Sequence, residues 1–235
     1  MSKEKILISI ILPTYNEVGN IVLLINQICQ YLKQYHYEII VVDDNSPDQT
    51  AKVIKDKFSR SNKIRLFIKK EDKGLAKAIR FGIEKSRGSC ILVMDTDFNH
   101  HPKDIPKMIK LIDRSDLIVG SRYIKGGGME NRLRYIISLL YNLITRKILA
   151  LSINDNLSGF FLMKKNKLEK LNYNKIFFGY GEYFIRLLFY VKQKNFKIKE
   201  IPVFYKNRTA GESKSKFLPM FIDYSKTVLS LIFHQ

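Results

Sequence analysis

The sequence of 235 residues has no tryptophan, only two cysteines, and no long uninterrupted apolar run. Two cysteines are too few for a disulfide framework or a cysteine-rich zinc cluster. The apolar surroundings of Cys29 and Cys90 predict buried, reduced thiols. A membrane-spanning helix needs about 18–20 consecutive apolar residues, so none is predicted. The short apolar run before Pro13 is typical of a strand and not of a signal peptide.

Acidic side chains are also scarce, with 22 Asp and Glu against 41 Lys and Arg, which gives a formal net charge of +19. Such a charge attracts nucleic acid, anionic membranes or phosphorylated substrates. The segment 1–120 holds 20 basic and 15 acidic side chains, whereas 121–235 holds 21 and 7. The positive charge is therefore concentrated in the second half. A hydrophobic fraction of 46% excludes disorder for most of the chain.

Short runs of Ile, Val and Leu alternate with amphipathic segments in the first 120 residues. This alternation predicts an α/β fold with a mostly parallel sheet and helices on both faces. The predicted strands are Ile6–Leu12, Glu38–Val42, Ile64–Ile68, Ser89–Met94 and Leu117–Val119. The predicted helices are Val18–Lys33, Asp48–Ser59, Gly74–Ser86 and Pro102–Arg114.

The second half is less regular, and its helical segments are amphipathic. We predict helices over Asn131–Leu151, Glu182–Lys194 and Leu218–Phe233, strands over Leu157–Met163 and Lys197–Tyr205, and a polar loop over Gly211–Ser215. The cluster Gly126–Gly128 is predicted to be the most flexible point and the junction between the two halves.

Two carboxylates flank one residue directly after a predicted strand, in Asp95-Thr96-Asp97. Ligands of parallel sheets bind beyond the carboxyl ends of the strands, where paired carboxylates suit a Mg²⁺ or Mn²⁺ ion bridged to a substrate phosphate. Asn99 could add an amide oxygen. The alternative is an Asx turn or a helix N-cap before Pro102, where Asp is also favoured.

A second acidic cluster, Asp43-Asp44-Asn45-Ser46, follows the predicted strand YEIIVV. An acidic group in this position can accept hydrogen bonds from ribose hydroxyls or a base edge. The alternative is that Ser46 or Asp48 caps the next helix, and both interpretations can hold because different residues serve each. The chain has neither a G-x-G-x-x-G nor a G-x-x-x-x-G-K-[ST] loop, which argues against a nicotinamide or flavin enzyme and a P-loop phosphotransferase.

Eight segments spread over nearly the whole chain carry a family resemblance. They are LPTYNE (12–17), VVDDNSPDQT (41–50), KGLAKAIRFG (73–82), MDTDFNHHP (94–102), GSRYIKGGG (120–128), Arg134 with Ser138, SGF (158–160) and IPVFYKNRTAGESK (201–214). In this order the chain resembles the family-two glycosyltransferases of the GT-A fold. The last four segments more closely resemble the polyprenol-phosphate, or dolichol-phosphate, mannosyltransferases.

The resemblance implies a role for each matching residue. The nucleotide pocket would be formed by Pro13, Tyr15, Glu17, Val42 and Asp44, the last two contacting base and ribose. The donor diphosphate and a Mg²⁺ or Mn²⁺ ion would meet Asp95, Thr96 and Asp97, with Asn99 as a third metal ligand where the family usually has Gln. The lipid phosphate would be held by Arg122, Arg134 and Ser138, and phosphate charge would be neutralised by Arg208 and Lys214 as their loop closes.

The chemistry of such a transfer agrees with this distribution of residues. A departing diphosphate needs a metal ion and cations, whereas a phosphate acceptor is already ionised and needs orientation by Arg more than a general base. Isolated arginines are more often solvated surface charges. His100 and His101 are either further metal ligands or, as we favour, packed loop residues, and Glu182 either orients an arginine or lies on a helix surface.

The expected activity is inverting transfer of mannose from GDP-mannose to a polyprenol phosphate. The segment 1–120 would bind the donor and 121–235 the acceptor, in one continuous catalytic domain. UDP-glucose or another nucleotide hexose is an alternative donor within the same family. A basic nucleic-acid-binding module is a hypothesis from a different class, but no recognised module is present.

A polyprenol tail stays in the bilayer, so the acceptor implies peripheral contact with the cytoplasmic face of a membrane. Basic amphipathic helices bind such surfaces by apolar burial and attraction to anionic lipid. The helices predicted over Asn131–Leu151 and Leu218–Phe233 fit this description, although packing on the domain is the usual role of an amphipathic helix. Some members of the family carry transmembrane helices and others do not. This chain resembles the latter, so the resemblance implies small membrane proteins as its partners.

Overall fold

The computed structural model describes residues 6–206 and 217–233. Strands and helices alternate in the first half, as the apolar periodicity predicts. The strands are β1 (Leu7–Thr14), β2 (His36–Asp43), β3 (Ile64–Ile68), β4 (Cys90–Val93), β5 (Leu117–Ser121), β6 (Gly128–Met129), β7 (Phe161–Lys164), β8 (Ile198–Pro202) and β9 (Phe204–Tyr205). The helices are α1 (Ile21–Tyr31), α2 (Thr50–Phe58), α3 (Leu75–Lys85), α4 (Ile105–Leu111), α5 (Arg132–Ile148), α6 (Lys165–Leu168), α7 (Tyr173–Ile176), α8 (Tyr183–Gln193) and α9 (Phe217–Ile232).

The main sheet has seven strands in the order β3-β2-β1-β4-β7-β5-β8. Strand β1 pairs in parallel with β2 on one side and β4 on the other. Strand β7 is antiparallel to both of its neighbours, β4 and β5. The carboxyl ends of β1, β2 and β4 therefore lie at one edge, on either side of the point where the strand order reverses, which is where ligands of open α/β sheets bind.

Apolar side chains cover both faces of the sheet. On one face, α1 and α4 pack through residues such as Leu24 and Met108. On the other, α3, α5, α8 and α9 pack around Phe161, Phe184 and Val228. Burial on both faces explains why β1, β2 and β4 are continuous apolar runs without polar alternation.

The predicted elements of the first half are confirmed, with ends shifted by a few residues. Helix α1 begins three residues later than predicted, because the chain first makes a turn closed by hydrogen bonds from the amides of Asn20 and Ile21 to the Glu17 carbonyl. Helix α4 lies between short 3₁₀ turns at Pro102–Asp104 and Ile112–Arg114. Cys29 and Cys90 are free thiols as predicted, but only Cys90 is buried, whereas Cys29 is half-buried. Burial raises the pKa of Cys90 to about 11.

Three predictions for the second half are corrected. Strand β7 begins at Phe161 and not at Leu157, since Gly159 adopts a left-handed conformation with φ of +70°. The strand predicted over Lys197–Tyr205 is divided at Val203 into β8 and β9, which belong to different sheets. The cluster Gly126–Gly128 is a hydrogen-bonded turn that leads into β6. The short elements β6, α6 and α7 were not predicted from the sequence.

Substituting a buried and an exposed apolar side chain should have different effects on the stability of this fold. Phe161→Ala removes a fully buried ring and should lower the free energy of unfolding by about 3–5 kcal/mol. Leu133→Ala, at a side chain that is 70% exposed on α5, should change it by less than about 0.5 kcal/mol. Urea unfolding followed by circular dichroism measures both, and equal losses would contradict the assigned core.

Candidate active site

A cavity of about 650 Å³ opens at the edge formed by the ends of β1, β2 and β4. Its walls bring together most of the residues singled out in the sequence, from both halves of the chain. Those lining it are Pro13, Tyr15, Glu17, Asp44, Asp95, Thr96, Asp97, Asn99, Arg122, Arg134 and Ser138. Arg208 and Lys214 lie outside the described residues, and their predicted role stays a prediction.

Asp44 follows the end of β2 and is the acidic residue of this strand end that lines the cavity. Its carboxylate is buried, and Oδ2 accepts a 2.7 Å hydrogen bond from the amide of Gly74. Oδ1 is also buried but has no hydrogen-bond partner among the described residues. Burial raises the pKa of Asp44, mainly by desolvation. Buried acceptors usually have a hydrogen-bond partner, so this oxygen at the cavity wall can accept a hydrogen bond from a ligand, such as one from a ribose hydroxyl or a base N–H.

The neighbouring carboxylate of Asp43 has a structural role. It accepts hydrogen bonds from the Ser46 amide at 2.9 Å and from the Thr14 hydroxyl at 3.0 Å. Asp48 accepts a bond from the amide of Thr50 at the start of α2. The N-cap of α2 is Gln49 and not Ser46 or Asp48, although Asp48 still binds the first amide of the helix. Asp43 therefore holds the loop while Asp44 lines the cavity, and the nucleoside contact of Asp44 stays a prediction.

The expectation that Val42 contacts the nucleotide is corrected. Its side chain is fully buried and packs with Ile40 and Ala78 between the sheet and α3. Val42 lies within β2, where Ile40 on the same face of the strand and Ala78 of α3 cover its side chain, so it has no surface at the cavity. Asp44, two positions on, is the residue of this pair that lines it.

The loop after β4 presents two carboxylates of different exposure. The Asp95 side chain is 45% exposed, whereas Asp97 is buried. Asp97 accepts hydrogen bonds from the Asn99 amide at 3.1 Å and from Asn99 Nδ2 at 2.8 Å. The first of these bonds spans two residues, as in an Asx turn, so the turn interpretation also holds for Asp97.

These residues fit a divalent cation. Asp95, Asp97 and Asn99 offer oxygen ligands at one cavity wall, and hard ions such as Mg²⁺ and Mn²⁺ prefer oxygen. Among the described residues, no group of three or more His, Cys, Asp or Glu side chains is arranged so that it could hold a metal ion by itself. Oxygens of a bound diphosphate would therefore have to complete the coordination, as they commonly do around Mg²⁺.

His100 lies buried beneath this loop and connects it to the second half of the chain. Its Nδ1 accepts a 2.8 Å hydrogen bond from the Asp95 amide, so the neutral ring carries its hydrogen on Nε2. Nε2 lies 2.7 Å from the Tyr205 hydroxyl and 3.1 Å from the Ser158 carbonyl oxygen. The ring also stacks on Phe160 at 4.9 Å. His100 is a packed loop residue, as favoured, and its bond to Asp95 was not foreseen.

Arg122 is buried and engaged with Asp155. Its Nε and Nη2 donate to the two carboxylate oxygens at 2.7 Å each, and its amide donates to Oδ2 at 2.9 Å. The coulombic attraction of Asp155 raises the pKa of Arg122, against the effect of burial. Arg122 lines the cavity, but its charge is paired with Asp155 and two of its N–H groups donate to that carboxylate. It therefore has fewer free donors for a lipid phosphate than the sequence implies.

Helix α5 carries the other two residues predicted to hold the lipid phosphate. Arg134 is exposed in the first turn, which the Asn131 side chain caps by accepting the Arg134 amide at 2.9 Å. Ser138 lies one turn further, and its hydroxyl is 2.5 Å from the Tyr123 hydroxyl. Positions i and i+4 share one helix face, which explains how both reach the cavity.

Glu182 is a buried carboxylate and not a surface group of α8. It lies 3.6 Å from Arg186 and accepts the Tyr180 amide at 2.9 Å. Arg186 also stacks over the Phe178 ring at 3.6 Å and bonds to the Thr227 hydroxyl on α9. Glu182 thus orients an arginine, but a different one from those considered in the sequence.

Comparison with known proteins identifies the family. The model of glycosyl transferase family 2 matches residues 9–172, which is more than half of the chain. The chain belongs to glycosyltransferase family 2. The carboxylates at the ends of β2 and β4 that line the cavity lie within the matched region.

Named relatives of this family-2 glycosyltransferase support the finer resemblance. Dolichol-phosphate mannosyltransferase of Pyrococcus furiosus is 36% identical over 96% of this chain, and polyprenol monophosphomannose synthase of Mycolicibacterium smegmatis is 30% identical over 87%. The chain spans 63% of the first relative's length and 79% of the second's.

Solved structures confirm the GT-A fold. Glucosyl-3-phosphoglycerate synthase from Mycobacterium tuberculosis, in complex with Mn²⁺, UDP and glucosyl-3-phosphoglycerate, superposes with a TM-score of 0.71 at 18% identity. The match covers 97% of this chain and 80% of that one. At this identity the likeness concerns the fold alone.

The Arg122–Asp155 pair predicts a specific pattern of stability. Asp155→Leu leaves a buried guanidinium without its partner and should lower the free energy of unfolding by about 3–5 kcal/mol. Adding Arg122→Met removes that charge and should restore part of the loss. Urea unfolding of the two variants is the measurement. A double variant less stable than Asp155→Leu would contradict the pairing described here.

Proposed function

We propose that this glycosyltransferase moves mannose from GDP-mannose to a polyprenol phosphate with inversion at the anomeric carbon. The observation that carries the proposal is that one and the same cavity joins the carboxylates at the ends of β2 and β4 to Arg134 and Ser138 on α5. The names of the two relatives, both transferring or linking mannose to a polyprenol phosphate, support it.

At the donor end, Asp44 would accept hydrogen bonds from the nucleoside through its unpartnered Oδ1. Asp95, Asp97 and Asn99 would hold a Mg²⁺ or Mn²⁺ ion against the diphosphate, and the cation would stabilise the negative charge of the leaving group. The solved synthase with the same fold contains Mn²⁺ and UDP, which supports divalent metal use by this type of site.

At the acceptor end, Arg134 and Ser138 would bind the phosphate of the lipid. A phosphate monoester carries a charge of about −1.5 to −2 near pH 7, so its oxygen attacks without a strong general base. Arg134 offers a planar fork of donors that orients the phosphate, and the Ser138 hydroxyl adds a further contact. A single displacement at the face opposite the diphosphate inverts the anomeric carbon.

A donor screen tests the proposal directly. The protein is incubated with labelled GDP-mannose or UDP-glucose, Mg²⁺ or Mn²⁺, and dolichyl phosphate, and the lipid-linked product is extracted into chloroform. We expect product with GDP-mannose and a larger thermal shift with GDP than with UDP. Product from UDP-glucose alone would assign the glucosyl alternative, and no product with any donor would contradict the proposal.

Two substitutions separate the donor and acceptor ends. Asp97→Asn keeps the side-chain volume but removes the charge at the metal site, and it should lower kcat at least 100-fold with the fold retained. Arg134→Ala should raise the KM for dolichyl phosphate at least ten-fold while the affinity for GDP stays unchanged. Steady-state assays and calorimetric GDP titrations measure these effects, and equal loss of GDP affinity in Arg134→Ala would contradict the assignment.

The proposed acceptor also implies contact with a membrane, and α5 and α9 offer a surface for it. Ring contacts between Tyr141 and Phe221, at 4.8 Å, bring the two helices together. Large apolar side chains on both remain exposed, namely Leu133, Ile136, Leu140, Leu143 and Ile144 on α5, and Phe221, Ile222 and Leu229 on α9. Among the described residues, no helix combines the length and apolarity required to cross a bilayer.

We infer peripheral binding at the cytoplasmic face, with small membrane proteins as further partners. Arg132, Arg146 and Lys147 on α5 add positive charge beside the exposed apolar side chains. Each basic residue near an anionic surface contributes about 1 kcal/mol of attraction. Apolar burial and charge then act together, which is how interfacial helices bind.

Paired charge insertions test this surface. Leu140→Asp with Ile144→Asp places two carboxylates one turn apart on the exposed side of α5, and should lower co-sedimentation with vesicles of phosphatidylcholine and phosphatidylglycerol at least five-fold. Leu23→Asp, at a side chain of similar exposure on α1, is the matched control and should leave binding unchanged. Undiminished vesicle binding by the double variant would contradict the role of α5.

A further inference from the structure

Tyrosine is concentrated around the cavity. The chain has 13 tyrosines, and six of them line this one space: Tyr15, Tyr141, Tyr180, Tyr183, Tyr205 and Tyr224. None of the roles assigned so far uses the pair Tyr183 and Tyr224, which begin α8 and lie within α9, respectively.

The hydroxyls of Tyr183 and Tyr224 differ from that of Tyr205 on the same cavity wall. The Tyr205 hydroxyl is bonded to Ser158 and His100. The side chains of Tyr183 and Tyr224 are buried, and none of the hydrogen bonds seen among the described residues uses either hydroxyl. Two buried phenols that face a cavity without partners have donor and acceptor capacity left for a ligand.

Packing fixes both rings in place. The Tyr183 ring stacks on Phe177 with a centroid distance of 5.9 Å. Its hydroxyl lies beside Gly159, where a Cβ would approach it to 3.5 Å. Tyr224 fits so closely against Gly181 that a Cβ on this glycine would collide with the phenol oxygen. Both phenol ends are thus held rigidly at defined points of the wall, as a specific binding site requires.

The two phenols also lie within electrostatic reach of Asp95. Burial raises the pKa of Tyr183 and of Tyr224, and the Asp95 carboxylate adds to both shifts. The hydroxyls therefore remain neutral and keep their hydrogens near pH 7. They can donate to a ligand that has its diphosphate at Asp95 and Asp97.

The group expected in this part of the cavity is the transferred sugar, because the Tyr224 ring lies 6.3 Å from that of Tyr141, one turn beyond Ser138 on α5, and Asp95 acts on both phenols. The diphosphate is proposed to lie at the Asp95 loop and the attacking phosphate at Arg134 and Ser138, so the hexose lies between them. Its hydroxyls lose water on entering, and each needs a hydrogen-bond partner in the pocket. We propose that Tyr183 and Tyr224 form the hexose subsite and donate hydrogen bonds to sugar hydroxyls.

This inference rests on the proposed function, and a comparison of sugar nucleotide with nucleotide tests it separately. Calorimetric titrations with Mn²⁺ give the affinities of the wild type, Tyr183→Phe and Tyr224→Phe for GDP-mannose and GDP, and for UDP-glucose and UDP. Phe keeps the ring and removes only the hydroxyl. Each variant should lose about three- to ten-fold in affinity for the sugar nucleotide that the wild type binds, and retain its affinity for the corresponding nucleotide.

Tyr173→Phe is the matched control, since Tyr173 packs edge-on against Phe177 at 5.4 Å but does not line the cavity. It should leave all affinities unchanged. If both cavity variants bind the sugar nucleotide as tightly as the wild type, the subsite is overturned while the proposed function stands. Equal losses for sugar nucleotide and nucleotide also overturn it, because the hydroxyls would then support the pocket as a whole. A wild type that binds none of the four ligands contradicts the proposed function itself.

Discussion

Parallel pairing of β1 with both β2 and β4 is the constraint on which the candidate site depends. Three strands that run in one direction must end at one edge, so the residues following them meet even though about 80 positions separate Pro13 from Asp95. Backbone groups within the strands are satisfied by the sheet, which leaves the strand ends for side-chain chemistry. Asp44 is left with an unpartnered oxygen at this edge, while Asp43 beside it is fully used in holding the loop.

Buried polar contacts attach the second half of the chain to that edge. His100 accepts a hydrogen bond from the Asp95 amide at Nδ1, and its Nε2 contacts the Tyr205 hydroxyl. Arg122 and Asp155 form a forked ion pair, and Asn156 bonds to Asn142 on α5. Buried polar groups tolerate few alternative arrangements, because each must find a partner. These contacts therefore fix the position of α5, and with it Arg134 and Ser138, relative to the loop after β4.

Local patterns in the sequence predict the sheet, the helices and the clustering of carboxylates. This is possible because the spacing of apolar residues and the end of a strand can both be recognised from a few neighbouring residues. Partnerships across long separations could not be predicted in this way. Asp155 lies 33 positions from Arg122, and Tyr205 lies 105 positions from His100. The side chain of Val42 was misplaced because the resemblance gives the segment but not which of its residues lies beyond the end of the strand. The division of the strand at Val203 depends on pairing with β6, which only the folded chain supplies.

The antiparallel strand β7 lies between β4 and β5, although it follows both of them in the chain by about 40 residues or more. During synthesis, the first half emerges with the edges of β4 and β5 unpaired. Exposed edges of this kind invite pairing with other chains, and non-local strand pairs form slowly. The loop carrying Asp95 and Asp97 packs through His100 on Ser158, Phe160 and Tyr205, so it is completed only after these later residues have been synthesised. The proposed donor site is therefore completed only after β7 has become available to pair with β4 and β5. A nascent chain that ends before β7 does not yet have a complete donor site.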